Sequence, residues 1–275
     1  MSAYLRTFLV GIILCSKKFV NANPFWYGSG AMIKQAVILS AGLGTRLKPY
    51  TDTMPKPMIP VLGKPMLQWH VEQFKKHGVT EFFFNLHYLP DVIKNYFGDG
   101  SKFGVKITYN FEPVILGTAG GVKQFEDKLD EEFFLIYGDT FSLVDYSKMR
   151  VVWEKLPSNK IGMQRMAKTE NYADADVAEL DAIGRFVAIH PKPHTQKYAN
   201  AYRMRGVFIL KKKILSYVPP NTPYEIGKHL LPDIVRRGKS FYSYECDDYS
   251  KGIDTLEKWK EVEEYVKKIE ADQRG

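Results

Sequence analysis

Apolar residues fall along this chain in short unbroken runs separated by stretches with a period near 3.6. Ala36-Val-Ile-Leu-Ser40, Glu81-Phe-Phe-Phe-Asn-Leu86 and Phe133-Phe-Leu-Ile-Tyr137 show no helical period and read as strands buried on both faces of a parallel sheet. Between the first two, Met66, Leu67, Val71 and Phe74 form a helix stripe that opens at Pro65 and stops at His77-Gly78. A strand, a helix and a strand within about fifty residues make a right-handed βαβ crossover. Pro90–Phe97 reads as a second helix, and Val105–Asn110, with alternating apolar residues, as a third strand. A helix is expected through Val122, Phe125 and Leu129, a strand over Phe241–Cys246 and a last helix from Leu256 to about Ala271. The pattern predicts one α/β domain over 32–275 with a mostly parallel central sheet covered by helices.

The chemistry is expected in Ala36–Pro65. The first strand ends in Ala41-Gly-Leu-Gly-Thr45, where two glycines let the backbone turn tightly and present N–H groups to an anion. Position 47 is Leu, which excludes a GxGxxG dinucleotide fingerprint, and no Gly-Lys-Ser/Thr follows, which excludes a Walker loop. Instead come Arg46 and then Lys56, the latter held between Pro55 and Pro57, two cations able to converge on one polyphosphate.

Gly42-Leu-Gly-Thr-Arg-Leu-Lys-Pro49 followed by Met54-Pro-Lys-Pro-Met-Ile-Pro-Val-Leu-Gly-Lys-Pro65 resembles the signature of the nucleotide-sugar pyrophosphorylases, enzymes that join a nucleoside triphosphate to a sugar 1-phosphate. The resemblance implies a Rossmann-like three-layer sandwich of the nucleotide-diphospho-sugar transferase type. It also implies a nucleotide site at Ala41, Gly42, Gly44 and Thr45, with Arg46 and Lys56 on the phosphates. Gly117 and Thr118, in Gly117-Thr-Ala-Gly120, resemble the family's nucleobase loop. Asp139, in the Gly138-Asp139 pair that closes the third apolar run, and Asp254, before the last helix, match the family's metal carboxylates and imply Mg²⁺. Asp254 would look the same from sequence as a helix cap.

Glu112 carries a separate expectation. A carboxylate pairs with two adjacent donors, which guanine offers and uracil and thymine do not, so a base-facing Glu112 tilts the nucleotide toward GTP; the alternative is a surface or capping acid. Beyond Asp139 the resemblance thins, in the sugar-binding part at roughly 141–250. Asp176 stands where the family has a glycine, Pro191-Lys192-Pro193 where it has Glu-Lys-Pro, and Met204-Arg-Gly206 where it has Asn-Ala-Gly. Lys192 is expected on the sugar phosphate, with Asp176 and Gly206 on the sugar and His190 or Arg205 as replacement contacts.

The members most similar in pattern are mannose- and heptose-1-phosphate guanylyltransferases. Cytidylyl, uridylyl or thymidylyl transfer to another sugar, polyol or choline phosphate stays open, as does a catalytically silent regulatory homologue.

Composition changes the picture in three places. The net charge is +8, of which Arg6, Lys17 and Lys18 account for three, leaving +5 scattered over the body rather than gathered in a stripe, so no nucleic-acid partner is expected. The two cysteines, Cys15 and Cys246, make no disulfide framework and suit a reducing, cytoplasmic setting. Thr7–Cys15 is an apolar run too short to span a bilayer, so 1–31 is expected to be a non-catalytic extension with no stable membrane insertion; a membrane-surface anchor is the alternative. A homo-oligomer is left open.

Overall fold

The computed structural model describes residues 32–168, 173, 175–198 and 201–272, so the expectations for the first 31 residues lie outside the described part. In chain order the first strands are β1 (Gln35–Leu39), the short pair β2 (Pro60–Val61) and β3 (Lys64–Pro65), β4 (Glu81–Leu86) and β5 (Lys106–Phe111). After them come β6 (Glu132–Tyr137), β7 (Thr140–Ser142), β8 (Lys160–Lys168), β9 (Val177–Leu180), β10 (Phe186–His190), β11 (Tyr202–Lys211), β12 (Ser240–Glu245) and β13 (Ser250–Gly252). The α-helices are α1 (Met66–Lys76), α2 (Pro90–Phe97), α3 (Gly117–Lys123), α4 (Tyr146–Lys155), α5 (Leu231–Arg236) and α6 (Leu256–Asp272).

The described chain divides into two compact units, and the division does not follow sequence order. The first unit consists of Lys34–Leu116, Leu135–Val144 and Asp248–Gly275. Its strands run in the order β6-β1-β4-β5, with β6 represented by its second half, Leu135–Tyr137, β1 parallel to β4 and β4 parallel to β5. The register sets Leu39 beside Asn85 and Asn85 beside Asn110, so three strands end at one edge. The parallel order follows from the crossovers: α1 and α2 each return the chain across the sheet. Phe82 and Phe84 pack with Phe74 and Phe97 on one face of β4 and Phe83, on the other face, is buried as well, the double-sided burial that the unbroken apolar runs require.

The second unit consists of Gly117–Phe134 and Asp145–Asp247 together with Met32 and Ile33. Its sheet is mixed: β9 and β10 are antiparallel, β11 is antiparallel to both β8 and β9, and β12 is parallel to β8. The parallel α/β pattern thus holds for the first unit, while the β9–β10 hairpin and the return of β11 between β8 and β9 bring antiparallel pairs to the second. The expected helix through Val122, Phe125 and Leu129 is shorter than the periodicity predicts. It ends at Lys123 and a 3₁₀ turn, Glu126–Lys128, takes over, although Phe125 and Leu129 remain buried. Two adjacent glycines, Gly120 and Gly121, weaken it from within. No described helix is long and apolar enough to cross a membrane.

Candidate functional site

β1 ends at Leu39, and Ser40 and Ala41 are still buried as the chain leaves the sheet for an exposed turn over Gly42, Leu43 and Thr45. Gly44 has φ 66°, and a Cβ there would sit 3.0 Å from both Lys56 Cβ and Thr51 Cγ2. Backbone conformation and space therefore both demand glycine. Thr51 Oγ1 donates to Gly44 O at 2.9 Å and fixes the turn. The next residues form a 3₁₀ turn, Thr45–Leu47, whose buried Leu47 anchors it while Arg46 points outward.

Lys56 opens another 3₁₀ turn, Lys56–Met58, and is buried along its length. Its Nζ reaches Asp139 Oδ2 at 2.6 Å. Asp139 follows Gly138, whose N–H donates to Leu39 O at 2.9 Å. A Cβ on Gly138 would meet that carbonyl at 2.4 Å and Pro57 Cγ at 3.3 Å. Glycine is needed here because β1 and Pro57 fill the space a side chain would take, and their closeness sets Asp139 next to the end of β1.

Asp254 is brought in by a two-stranded ribbon. β13 pairs antiparallel with β7, Gly252 facing Thr140, and Ile253 N–H donates to Asp139 O at 2.8 Å. The two aspartates thus stand at the same end of one ribbon. Arg46 Nη1 lies 2.7 Å from Asp254 Oδ2, and Lys258 Nζ lies 2.7 Å from Oδ1. Partial burial opposes ionisation of Asp254, but the hydrogen bond and charge of Lys258, with the charges of Arg46 and Lys56, hold its carboxyl below the usual range. Arg46, Lys56, Asp139 and Asp254 therefore meet inside one unit, in alternating pairs of opposite charge. Lys258 joins them without having been singled out; the signal was its i,i+4 spacing from Asp254 at the start of α6.

His70 on α1 was also passed over. It is buried next to the Gly138 backbone and the Asp139 carboxylate. Burial lowers its pKa from 6.5 to about 4 against the opposing pull of the Asp139 carboxylate, so the ring is neutral.

Two nucleobase expectations are corrected. Glu112 is fully buried; Oε1 accepts from Asn85 Nδ2 at 2.7 Å and Oε2 from Leu116 N at 2.9 Å. Both oxygens serve the fold, so the carboxylate does not face a base edge, and the argument for GTP drawn from it falls. In the second unit the N–H groups after Gly117 do not form an open wall. Glu225 Oε2 accepts from Thr118 N at 3.1 Å and from Thr118 Oγ1 at 2.6 Å, while Tyr224 O accepts from Ala119 N and Gly120 N. The first turn of α3 is thereby capped from within the protein.

The sugar-side residues also lie in the second unit. Asp176 Oδ1 accepts from Lys192 N at 3.1 Å and Asp176 O from Met204 N at 3.0 Å, which gathers the starts of β9 and β11 and the chain after β10. Gly206 is buried within β11 and the Lys192 residue is exposed. His190, read as a replacement sugar contact, has Nε2 hydrogen-bonded to Glu179 Oε1 at 2.7 Å and its ring stacked on Tyr198 at 3.9 Å. Its ring is committed to packing.

Asp139 and Asp254 supply hard oxygen donors on joined strands, the donor type a divalent cation such as Mg²⁺ takes. Among the described residues no group of three or more His, Cys, Asp or Glu could hold a metal. An ion with two protein carboxylates fits a site completed by phosphate oxygens and water.

Comparison with known proteins fits this geometry. The chain is 31% identical over 225 residues to a UTP–glucose-1-phosphate uridylyltransferase of Synechocystis sp., an alignment covering 78% of this chain and 58% of that protein. It is 37% identical over 152 residues to a D-glycero-α-D-manno-heptose 1-phosphate guanylyltransferase of Campylobacter jejuni, covering 55% of this chain and 67% of that one. The crystal structure of HddC from Yersinia pseudotuberculosis superposes with a TM-score of 0.70 at 25% identity, over 85% of this chain and all of that one. The chain thus spans little more than half the length of the first of these relatives. A sequence profile described as nucleotidyl transferase matches residues 35–268, from the start of β1 into α6, and the chain belongs to that family.

Proposed function

We propose that this chain transfers a nucleotidyl group from a nucleoside triphosphate to a sugar 1-phosphate, giving a nucleoside diphosphate sugar and pyrophosphate. The observation that carries the reading is the meeting of Lys56 with Asp139 and of Arg46 with Asp254 beside the exposed turn Gly42–Thr45. Ligands in open parallel sheets sit at the carboxyl ends of the strands, and this cluster lies where β1 and β6 end.

In the reaction a phosphate oxygen of the sugar 1-phosphate attacks the α-phosphorus, the bond from that phosphorus to the bridging oxygen breaks, and pyrophosphate leaves with the electron pair. No protein nucleophile is needed, so the residues act by position and charge. Arg46, long and exposed, can follow the leaving pyrophosphate. Lys56, buried and held by Asp139, serves the α-phosphate, and Lys192 is assigned to the sugar phosphate. Asp139 and Asp254 would hold a divalent metal, Mg²⁺ in this reading, which would supply neutralisation of the phosphate charge.

For the nucleotide, GTP is the first reading and rests on the C. jejuni guanylyltransferase; UTP is the second and rests on the Synechocystis relative. With nucleoside triphosphates as substrate, the cytoplasm is the expected compartment. Pyrophosphate release measured for GTP, UTP, CTP and dTTP against heptose, mannose and glucose 1-phosphates tests the reading. Turnover with GTP and a manno-configured sugar is expected; turnover with UTP alone reverses the base assignment, and release with no pair overturns the function.

A further inference from the structure

Ser40, Asn85 and Glu112 follow or close three neighbouring strands, and none of them carries a role in the reaction above. Each is almost wholly buried. Ser40 N–H donates to Asn85 Oδ1 at 2.7 Å, Asn85 Nδ2 donates to Glu112 Oε1 at 2.7 Å, and Leu116 N–H donates to Glu112 Oε2 at 2.9 Å. A polar residue inside the run Phe82-Phe-Phe-Asn85-Leu86 needs such a reason to be there.

The polarity of this hydrogen-bond chain has one solution. Backbone N–H groups at both ends can only donate, so Asn85 must turn its oxygen to Ser40 and its NH₂ to Glu112, and Glu112 must accept on both oxygens. Ser40 is the last residue before the glycine turn and lies beyond the paired part of β1. Its N–H therefore marks where the backbone leaves the sheet, and Thr51 holds Gly44 at the other end of the turn.

We propose that Asn85 and Glu112 are positioning residues that fix the glycine turn Ala41–Thr45 for its triphosphate, acting through Ser40 N–H rather than by touching the nucleotide. The proposal rests on the reading of that turn as the triphosphate cradle. Glu112→Gln places an NH₂ group against Asn85 Nδ2 or Leu116 N–H, and Asn85→Asp places two carboxylates face to face. The double change restores a complete set of hydrogen bonds with the charge moved from the third strand to the second. The carboxylate introduced on β4 would accept from Ser40 N–H and from the amide introduced after β5, whose oxygen would accept from Leu116 N–H.

The test compares the wild type, Asn85→Asp, Glu112→Gln and the double variant. Each single change is expected to raise the KM for the nucleoside triphosphate by about tenfold, the size of one lost buried hydrogen bond, while the KM for the sugar phosphate stays within about twofold. The double variant is expected to recover most of the loss. Hydrogen exchange at amides 40–45, read without substrate, should quicken in the single variants and slow again in the double. Single variants that melt earlier yet keep the wild-type KM and the wild-type exchange of the turn would overturn the proposal and leave the network a purely stabilising one. If the single variants do not fold, Asn85→Ala, which leaves room for water at Ser40 N–H, carries the same two measurements. A wild type without turnover on any triphosphate refutes the proposed function, and the exchange measurement then decides the positioning role alone.

Discussion

Lys56 Nζ lies 2.6 Å from Asp139 Oδ2, yet the lysine side chain is 9% exposed and the aspartate 41%. The pair is therefore unequal. Without Asp139 the ammonium would be left mostly buried and uncompensated, whereas without Lys56 the carboxylate keeps its access to water. Asp139→Ala should cost about 2 kcal/mol of stability, a buried-pair penalty reduced for the water that reaches the site, and Lys56→Met less than about 1 kcal/mol. Each should lower kcat/KM by about 10²- to 10³-fold, as for a lost transition-state donor. Urea unfolding alongside pyrophosphate release separates the two effects, and equal stability losses would contradict the asymmetry.

Arg46 offers the opposite case. Its side chain is 68% exposed, and its ion pair with Asp254 is a surface contact already shared with Lys258. Arg46→Ala should change stability by less than about 1 kcal/mol while lowering kcat/KM by about 10²-fold. A variant with full turnover would remove Arg46 from the pyrophosphate.

Two glycines should behave differently when given a methyl group. At Gly138 the added Cβ would come within 2.4 Å of the Leu39 carbonyl, a backbone atom that cannot step aside, whereas at Gly42 it would meet nothing within 4 Å. Gly138→Ala is expected to cost about 1–3 kcal/mol, and Gly42→Ala less than about 0.5 kcal/mol. Only in the second case would a fall in activity report the approach of a ligand to the turn. Thermal melting of the two variants and their KM for the nucleotide make the distinction.

His70 should make stability depend on acidity. In the unfolded chain it binds a proton below about pH 6.5, while in the folded protein burial delays this to about pH 4. The contribution is thus complete above pH 6.5 and is lost as the pH falls from about 6.5 to about 4, by about 3 kcal/mol in all. His70→Leu should unfold with a flatter pH profile across that window than the wild type. Parallel profiles in urea titrations at pH 7 and pH 4.5 would show that the buried ring carries no such linkage.

The sequence by itself determined the parallel strands of the first unit and the charged residues around them. Unbroken runs such as Glu81–Leu86 can be satisfied only by burial on both faces, and a glycine turn followed by Arg46 and proline-bracketed Lys56 needs no distant partner to be recognised. Only the tertiary structure decided what those charges meet. The partners of Arg46 and Lys56 lie 208 and 83 residues away, and a β7–β13 ribbon that no local pattern announces sets Asp254 beside Asp139.

The same holds for Glu112 and Thr118. Their chemistry suits a ligand equally well in the sequence, and it took Asn85 and Glu225, residues adjacent only in the folded chain, to show that their hydrogen bonds are already made. A local pattern fixes which groups can donate, accept or carry charge; which of them remain available depends on long-range neighbours, because a buried polar group takes whatever partner the fold brings within reach.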